Sequence, residues 1–349
     1  MYLEESTFTD ATVSISSSSL ATPLPEIDAR SIWIFVDSFL FIVIVSGNVL
    51  TILAIAWARK LRSVVSNYFI LNLAVSDLLV GASLLYHLAF YVDNSLNYNK
   101  AVCISRFVII GLACGGSVCN IIAIAIDRYI AIVHPLGYNA YVTRKRVLII
   151  IAIGWTCTMS VSSIPTYWNC FDTLITCEME EILPRNYILF ILLPSFFLSW
   201  VAMFLLYWKI WKEASGHARR MNCGSISNIA EKIDRKSVQV VLLILGCFSI
   251  CWLPYIIVLC IRSCDVETFP MDYYKVTFAL AVANSGMNPF IYAWKNTNFR
   301  KAFQKIWHCK SPNQDLNSSF KMYLEKQREI KNQQTNAENG KQENGNLHG

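Results

Sequence analysis

The run from Phe107 to Tyr138, FVIIGLACGGSVCNIIAIAIDRYIAIVHPLGY, constrains this chain more than any other feature. It is almost free of charge until Asp127-Arg128-Tyr129. About twenty consecutive apolar residues carry a helix across a bilayer, and this stretch supplies them. A charge deep in hydrocarbon costs on the order of several kcal/mol, so the Asp127–Arg128 pair belongs at or near one membrane face.

The rest of the chain repeats the pattern. Of its 349 residues, 54% are hydrophobic and 15% charged. Soluble domains sit nearer about 45–50% and 25%. The apolar excess falls in separate long runs, at roughly Ile32–Ala58, Asn67–Val92, Ala101–His134, Val147–Trp168, Tyr187–Trp211, Val238–Ile261 and Tyr273–Trp294. The expected fold class is therefore an all-α membrane protein, a bundle of seven transmembrane helices.

Arg59, Lys60, Arg62, Arg144, Lys145, Arg146, Arg219, Arg220, Lys232, Arg235 and Lys236 lie in or beside the connections after odd-numbered spans. Asp172, Glu178, Glu180, Glu181, Asp265, Glu267 and Asp272 occupy the opposite loops. Positive charge stays cytoplasmic, which places the N-terminus outside and the C-terminus inside a plasma-membrane protein.

Four regions follow. Residues 1–30 read as a disordered extracellular tail, Ser/Thr-rich and without a cleavable signal, and 31–294 as the bundle. Residues 295–309 read as a short amphipathic helix parallel to the membrane: Phe299, Phe303 and Ile306 recur at helical spacing, opposite Arg300, Lys301 and Lys305. Residues 310–349 read as a disordered cytoplasmic tail. Cys309 is a candidate palmitoylation site.

Chemistry that needs other signatures is not expected. The sequence shows no metal-type Cys/His spacing, no phosphate-cradling glycine loop and no nucleophile elbow, so no enzyme and no cofactor are expected. A net charge of +6 reads as loop asymmetry rather than a nucleic-acid footprint.

Polar groups inside the spans are costly, and each is a functional candidate. Gly47-Asn48 lies in the first span, Asn72 and Asp77 in the second, Ser117 in the third. In the seventh, Asn284, Ser285 and Asn288 share one helical face. Asp77 stays charged only if neighbouring hydroxyls and amides, with a small cation or waters, solvate it. In the sixth span Pro254 removes a backbone bond and kinks the helix.

These motifs resemble the rhodopsin-like G-protein-coupled receptors from about Gly47 to Phe303. Asp127-Arg128-Tyr129 matches the end of that family's third helix, and Asn48, Asp77 and Trp155 match landmarks of the first, second and fourth. Phe248-x-x-Cys251-Trp252-x-Pro254 matches the sixth, and Asn288-Pro289-x-x-Tyr292 the seventh. Tyr207 resembles the conserved tyrosine of the fifth.

The resemblance implies a receptor that passes binding of a small extracellular ligand to a heterotrimeric G protein by outward movement of the sixth helix. Arrestin, receptor kinases and membrane lipid are the further implied partners. Pro135 and Leu136 would dock the G protein, and Trp252 would be the switch beneath the ligand. Arg128 would pair with Asp234 as a lock. Asp77, Ser117, Asn284, Ser285 and Asn288 would form an allosteric sodium pocket. A bridge from Cys103 to the loop carrying Cys170 and Cys177 is implied, with Cys177 favoured and Cys170 left open. Cys260 and Cys264 offer a second, smaller bridge or two thiols.

The chain departs from the family at the pocket. Ile110 stands where amine receptors carry an aspartate, Leu259 where adenosine receptors carry an asparagine, and Val282 where opsins carry a lysine. The fifth span is also irregular: Pro194 lies far ahead of Tyr207, and Ser199 takes the usual proline position. The expected ligand pocket of Ile110, Gly111, Cys114, Trp252, Tyr255, Ile256, Leu259 and Val282 is largely apolar and suits a neutral, largely apolar ligand. An amine or adenosine-like receptor with a non-standard pocket is the alternative. From another class, a seven-span transporter or channel competes. Asp37 and Asp77 are the main acids within the spans, and no relay of acids joins them.

Overall fold

A computed structural model describes residues 29–171, 177–221, 228–264 and 271–313. The tail regions 1–28 and 314–349 and the loop acids Asp172, Asp265 and Glu267 lie outside these residues. In 214–221 and 228–241 only the backbone is described.

Seven long helices run in chain order: Ala29–Trp57, Asn67–Val92, Lys100–Val133, Arg144–Ser162, Leu193–Met221, Asn228–Ser263 and Met271–Lys295. Thr297–Trp307 forms a short eighth. Local chemistry sets several ends. The side chain of Asn99 accepts the Val102 amide at the start of the third helix. Thr143 accepts the Arg146 amide at the fourth, and Asn296 accepts two amides at the eighth. Pro135 follows the third helix, where it opens a 3-10 turn.

By length and composition alone, six of the described helices can cross a membrane. Met271–Lys295 is not among them, because Lys275, Asn284, Ser285 and Asn288 dilute its apolar content. It packs against the first and sixth helices, with those three amide and hydroxyl residues buried. The polarity faces inward, as the shared face required.

Two spans differ from the sequence expectation. The fourth helix stops at Ser162, short of Trp168, and a 3-10 turn at Ile164–Thr166 carries Pro165. The fifth begins with a π-helical turn at Ile188–Leu192, directly before Pro194. Proline has no N–H to give to a helix ladder, and a π turn rearranges the bonding where that donor is missing.

Polar pairs and close contacts tie the helices together. Trp155 Nε1 donates to Asn72 Oδ1 at 3.1 Å, and Asn72 Nδ2 donates to Asn120 Oδ1 at 2.8 Å, so one network crosses the second, third and fourth helices. Gly47 lets the first helix approach the seventh: a Cβ there would lie 2.9 Å from Pro289 Cγ. Phe248 and Phe299 are fully buried in the largest apolar cluster. In the eighth helix Phe299, Ala302 and Phe303 are buried while Arg300 and Lys301 are exposed, giving the amphipathic face expected. Asn313 then clasps the end of the first helix, donating to the Trp57 carbonyl at 2.8 Å and accepting the Arg59 amide at 2.9 Å.

At the opposite end a disulfide joins Cys103 to Cys177, with Cα atoms 5.9 Å apart. Cys260 and Cys264 remain thiols.

Candidate functional site

Below that disulfide lies a cavity of about 280 Å3. Ile110, Gly111 and Cys114 from the third helix face Trp252, Tyr255 and Ile256 from the sixth. Ser195, Phe196 and Ser199 line it from the fifth. The floor is aromatic. Phe196 lies 5.7 Å from Phe248 and 5.9 Å from Trp252, and Phe248 lies 6.1 Å from Trp252. These rings sit beside Pro254, so the cavity floor and the kinked part of the sixth helix are one packing unit.

The roof comes from the segment that the disulfide pins. Met179, two residues past Cys177, accepts hydrogen bonds at its sulfur from the Tyr255 and Tyr274 hydroxyls, each 3.2 Å. Two expected lining residues do not reach the cavity. Leu259 is fully buried against Tyr187, Ile188 and Cys177. Val282 packs with Ile44, Val80 and Leu84, on the side of the first and second helices. A position counted along a helix carries no information on how far the helix is rotated, and both side chains fall on packing faces.

Beside this cavity lies a polar chamber that the sequence reading missed. Asp37 and His87 meet there at 2.8 Å, with Arg106 and Glu178 in the same wall. An acid and a histidine within apolar spans are themselves a signal. Asp37 was seen only as half of an absent relay, because its partner stands fifty positions away.

Deeper in the bundle, Ser117 Oγ donates to Asp77 Oδ1 at 2.8 Å and Asn288 Nδ2 donates to Asp77 Oδ2 at 2.7 Å. Asn48 Nδ2 donates to the Ser285 carbonyl at 3.0 Å, while its buried Oδ1 has no partner among the described residues. Asn284 and Ser285 are buried beside them. No cationic side chain pairs with Asp77 among the described residues. One carboxylate with hydroxyl and amide oxygens is a hard-oxygen set that fits a small monovalent cation. No cluster of three His, Cys, Asp or Glu among the described residues would hold a metal ion.

At the far end Arg128 is paired with Asp127 and donates to Ser66 Oγ at 3.0 Å. Tyr138, in the connection after the third helix, donates to the other oxygen of Asp127. Tyr129 is half-buried against the main apolar cluster. Leu136 is fully exposed, at 104%. The Asp234 backbone is helical, and its side chain lies outside those described. Between the two levels, the Tyr207 and Tyr292 hydroxyls are buried without partners among the described residues.

The profile of the family described as "7 transmembrane receptor (rhodopsin family)" matches residues 47–292. The histamine H2 receptor of Cavia porcellus is 32% identical over 282 residues, covering 78% of this chain and 78% of that receptor. The histamine H2 receptor of Homo sapiens is 30% identical over 287 residues, covering 79% of each chain. The alpha-1A adrenergic receptor of Oryzias latipes is 29% identical over 306 residues, covering 76% of this chain and 64% of that receptor.

Proposed function

This chain belongs to the rhodopsin family of seven-transmembrane receptors, and within that family we propose a receptor for a small extracellular ligand whose buried body is neutral and largely apolar. As a member it is a multi-pass plasma-membrane protein that signals through a heterotrimeric G protein. The observation that carries the ligand reading is the composition of the cavity wall. Ile110, Ile256 and the floor of Phe196 and Trp252 offer a ligand dispersion and desolvation rather than charge.

In this reading the N-terminus and the disulfide end are extracellular, and the Arg128 end is cytosolic. Ligand on Trp252 shifts the aromatic floor, and the sixth helix swings outward about Pro254. Arg128 then leaves its resting partners, with Asp234 as the lock. Leu136, exposed with no packing role, docks on the G protein together with Pro135. Tyr207 and Tyr292 gain partners or water in the outward state, since a buried unpaired hydroxyl costs about 1–3 kcal/mol. Sodium held by Asp77, Ser117, Asn284, Ser285 and Asn288 favours the resting state. Arrestin and receptor kinases act on the cytosolic face, Cys309 is acylated, and the eighth helix lies on lipid.

A screen of lipids, sterols, nucleosides and amines with a promiscuous G-protein reporter tests the ligand reading. Active compounds should have an apolar body and lose at least about tenfold in potency on Cys114→Phe, which fills the cavity with side chain. Agonists indifferent to Cys114→Phe would sink it.

A further inference from the structure

The polar chamber is about 160 Å3 and shares Phe107, Ile110, Met179 and Phe278 with the apolar cavity, so one ligand can reach both. Its charged wall is made of Asp37, His87, Arg106, Glu178 and Lys275. These charges are not answered alike. The Arg106 guanidinium lies 4.7 Å over the Phe90 ring and donates to the Cys177 carbonyl at 3.3 Å. Asp37 is 4% exposed, and among the described residues His87 is its one hydrogen-bond partner. That imidazole is a counter-charge only while it is protonated. Beside a neutral imidazole the buried carboxylate has no charged hydrogen-bond partner among the described residues, and an under-paired buried charge is costly.

We propose that Asp37 anchors a cationic nitrogen on the ligand, a protonated amine attached to the apolar body, with the His87 ring fixing the carboxylate. The inference rests on the apolar-cavity reading above and adds the charged end. The ammonium takes at the first helix the ion pair that Ile110 rules out at the third. Trp33, Tyr91 and Phe278 line the same chamber, and aromatic faces attract a desolvated cation. An anion would meet the two carboxylates of Asp37 and Glu178, of like charge, in the same wall. Arg106 and Lys275 oppose a cation, but Arg106 is already engaged by the Phe90 ring and the Cys177 carbonyl.

Protonated His87 competes with the ligand for Asp37, so binding weakens as pH falls. The other titratable groups facing the pair are Tyr91 from the second helix, Arg106 from the third, Glu178 from the loop, and Tyr274 and Lys275 from the seventh. None of these residue types ordinarily titrates between about pH 5 and pH 8, so a change in that window reports His87.

The test uses full-length receptor in nanodiscs and three probes with one apolar body: 4-phenylbutylamine, the neutral 4-phenylbutan-1-ol and the anionic 5-phenylpentanoate. Binding is measured by calorimetric titration. The amine should bind at least about tenfold more tightly than the alcohol near pH 8, and lose several-fold of that advantage near pH 5. Asp37→Asn should remove the advantage, and His87→Gln should remove its pH dependence. Equal affinity of amine and alcohol overturns the inference, as does an advantage that survives Asp37→Asn. A preference for the carboxylate overturns it too and makes Arg106 the anchor. The wild-type comparison decides even if a variant fails to fold. If the alcohol binds and the amine gains nothing, the charged anchor alone is wrong. If no probe binds, the apolar-cavity reading fails and takes its extension with it.

Discussion

The Tyr138 hydroxyl donates a 2.7 Å hydrogen bond to Asp127 Oδ1, while Arg128 is held by the Oδ2 of the same carboxylate. The connection that presents Leu136 is thereby tied to the residue that positions Arg128. Burial first, then the Asp127 charge, pushes the Tyr138 phenol up to about 12. The neutral form is the one favoured in the fold, so this phenol's contribution is fully present below the ordinary tyrosine value of about 10 and is lost as pH rises from there through about 12. Tyr138→Phe should cost about 1 kcal/mol, since Tyr138 is half-buried, and lower the melting temperature by on the order of 2–4 °C. An unchanged melting curve would show the bond to be idle.

Asp234→Ala should raise basal nucleotide exchange. Arg128 would then keep only the partners it has on its own helix and at Ser66. An interfacial ion pair is worth roughly 0.5–1 kcal/mol, so the expected rise is about two- to fivefold. No rise at matched surface expression would count against the lock.

Sodium should lower basal exchange through Asp77, whose two oxygens accept from Ser117 and Asn288. A ligand shifts a two-state equilibrium only by its differential affinity, and the oxygen set around Asp77 provides one if it closes in the resting state. Asp77→Asn should abolish the dependence, with choline as the ionic-strength control. Equal sodium sensitivity in wild type and variant would end the proposal.

Dopamine, serotonin, octopamine, tyramine and histamine should not act as potent agonists through the third helix. Each brings a polar ring to an apolar cavity, and Ile110 offers nothing to offset a desolvated ammonium. Agonist titration on wild type and Ile110→Asn checks this. Submicromolar activation of the wild type, lost on that substitution, would show the pocket reading to be mistaken.

Much of the bundle was legible because hydrocarbon leaves few choices. Span length and the inward placement of Asp77, Ser117 and Asn288 follow from the cost of polar groups in lipid, whereas Trp252 was singled out by the resemblance. Helix rotation was not legible. Leu259 and Val282 sit at the right height yet face packing partners, whereas Met179 reaches the roof from a loop whose position depends on the Cys103–Cys177 bridge. The Asp37–His87 pair joins two helices whose separation in the sequence gives no clue to their contact. Asn120 was missed for the same reason: it completes the Asn72–Trp155 network from a third helix.

The central claim is that this protein is a nucleotide-exchange receptor rather than a conduit. Receptor in nanodiscs with purified heterotrimeric G proteins should accelerate nucleotide exchange, and Arg128→Ala should suppress that acceleration at equal receptor density. The same protein in liposomes should carry no ion or solute flux above empty vesicles. Flux without exchange, across the major G-protein classes, would contradict the account.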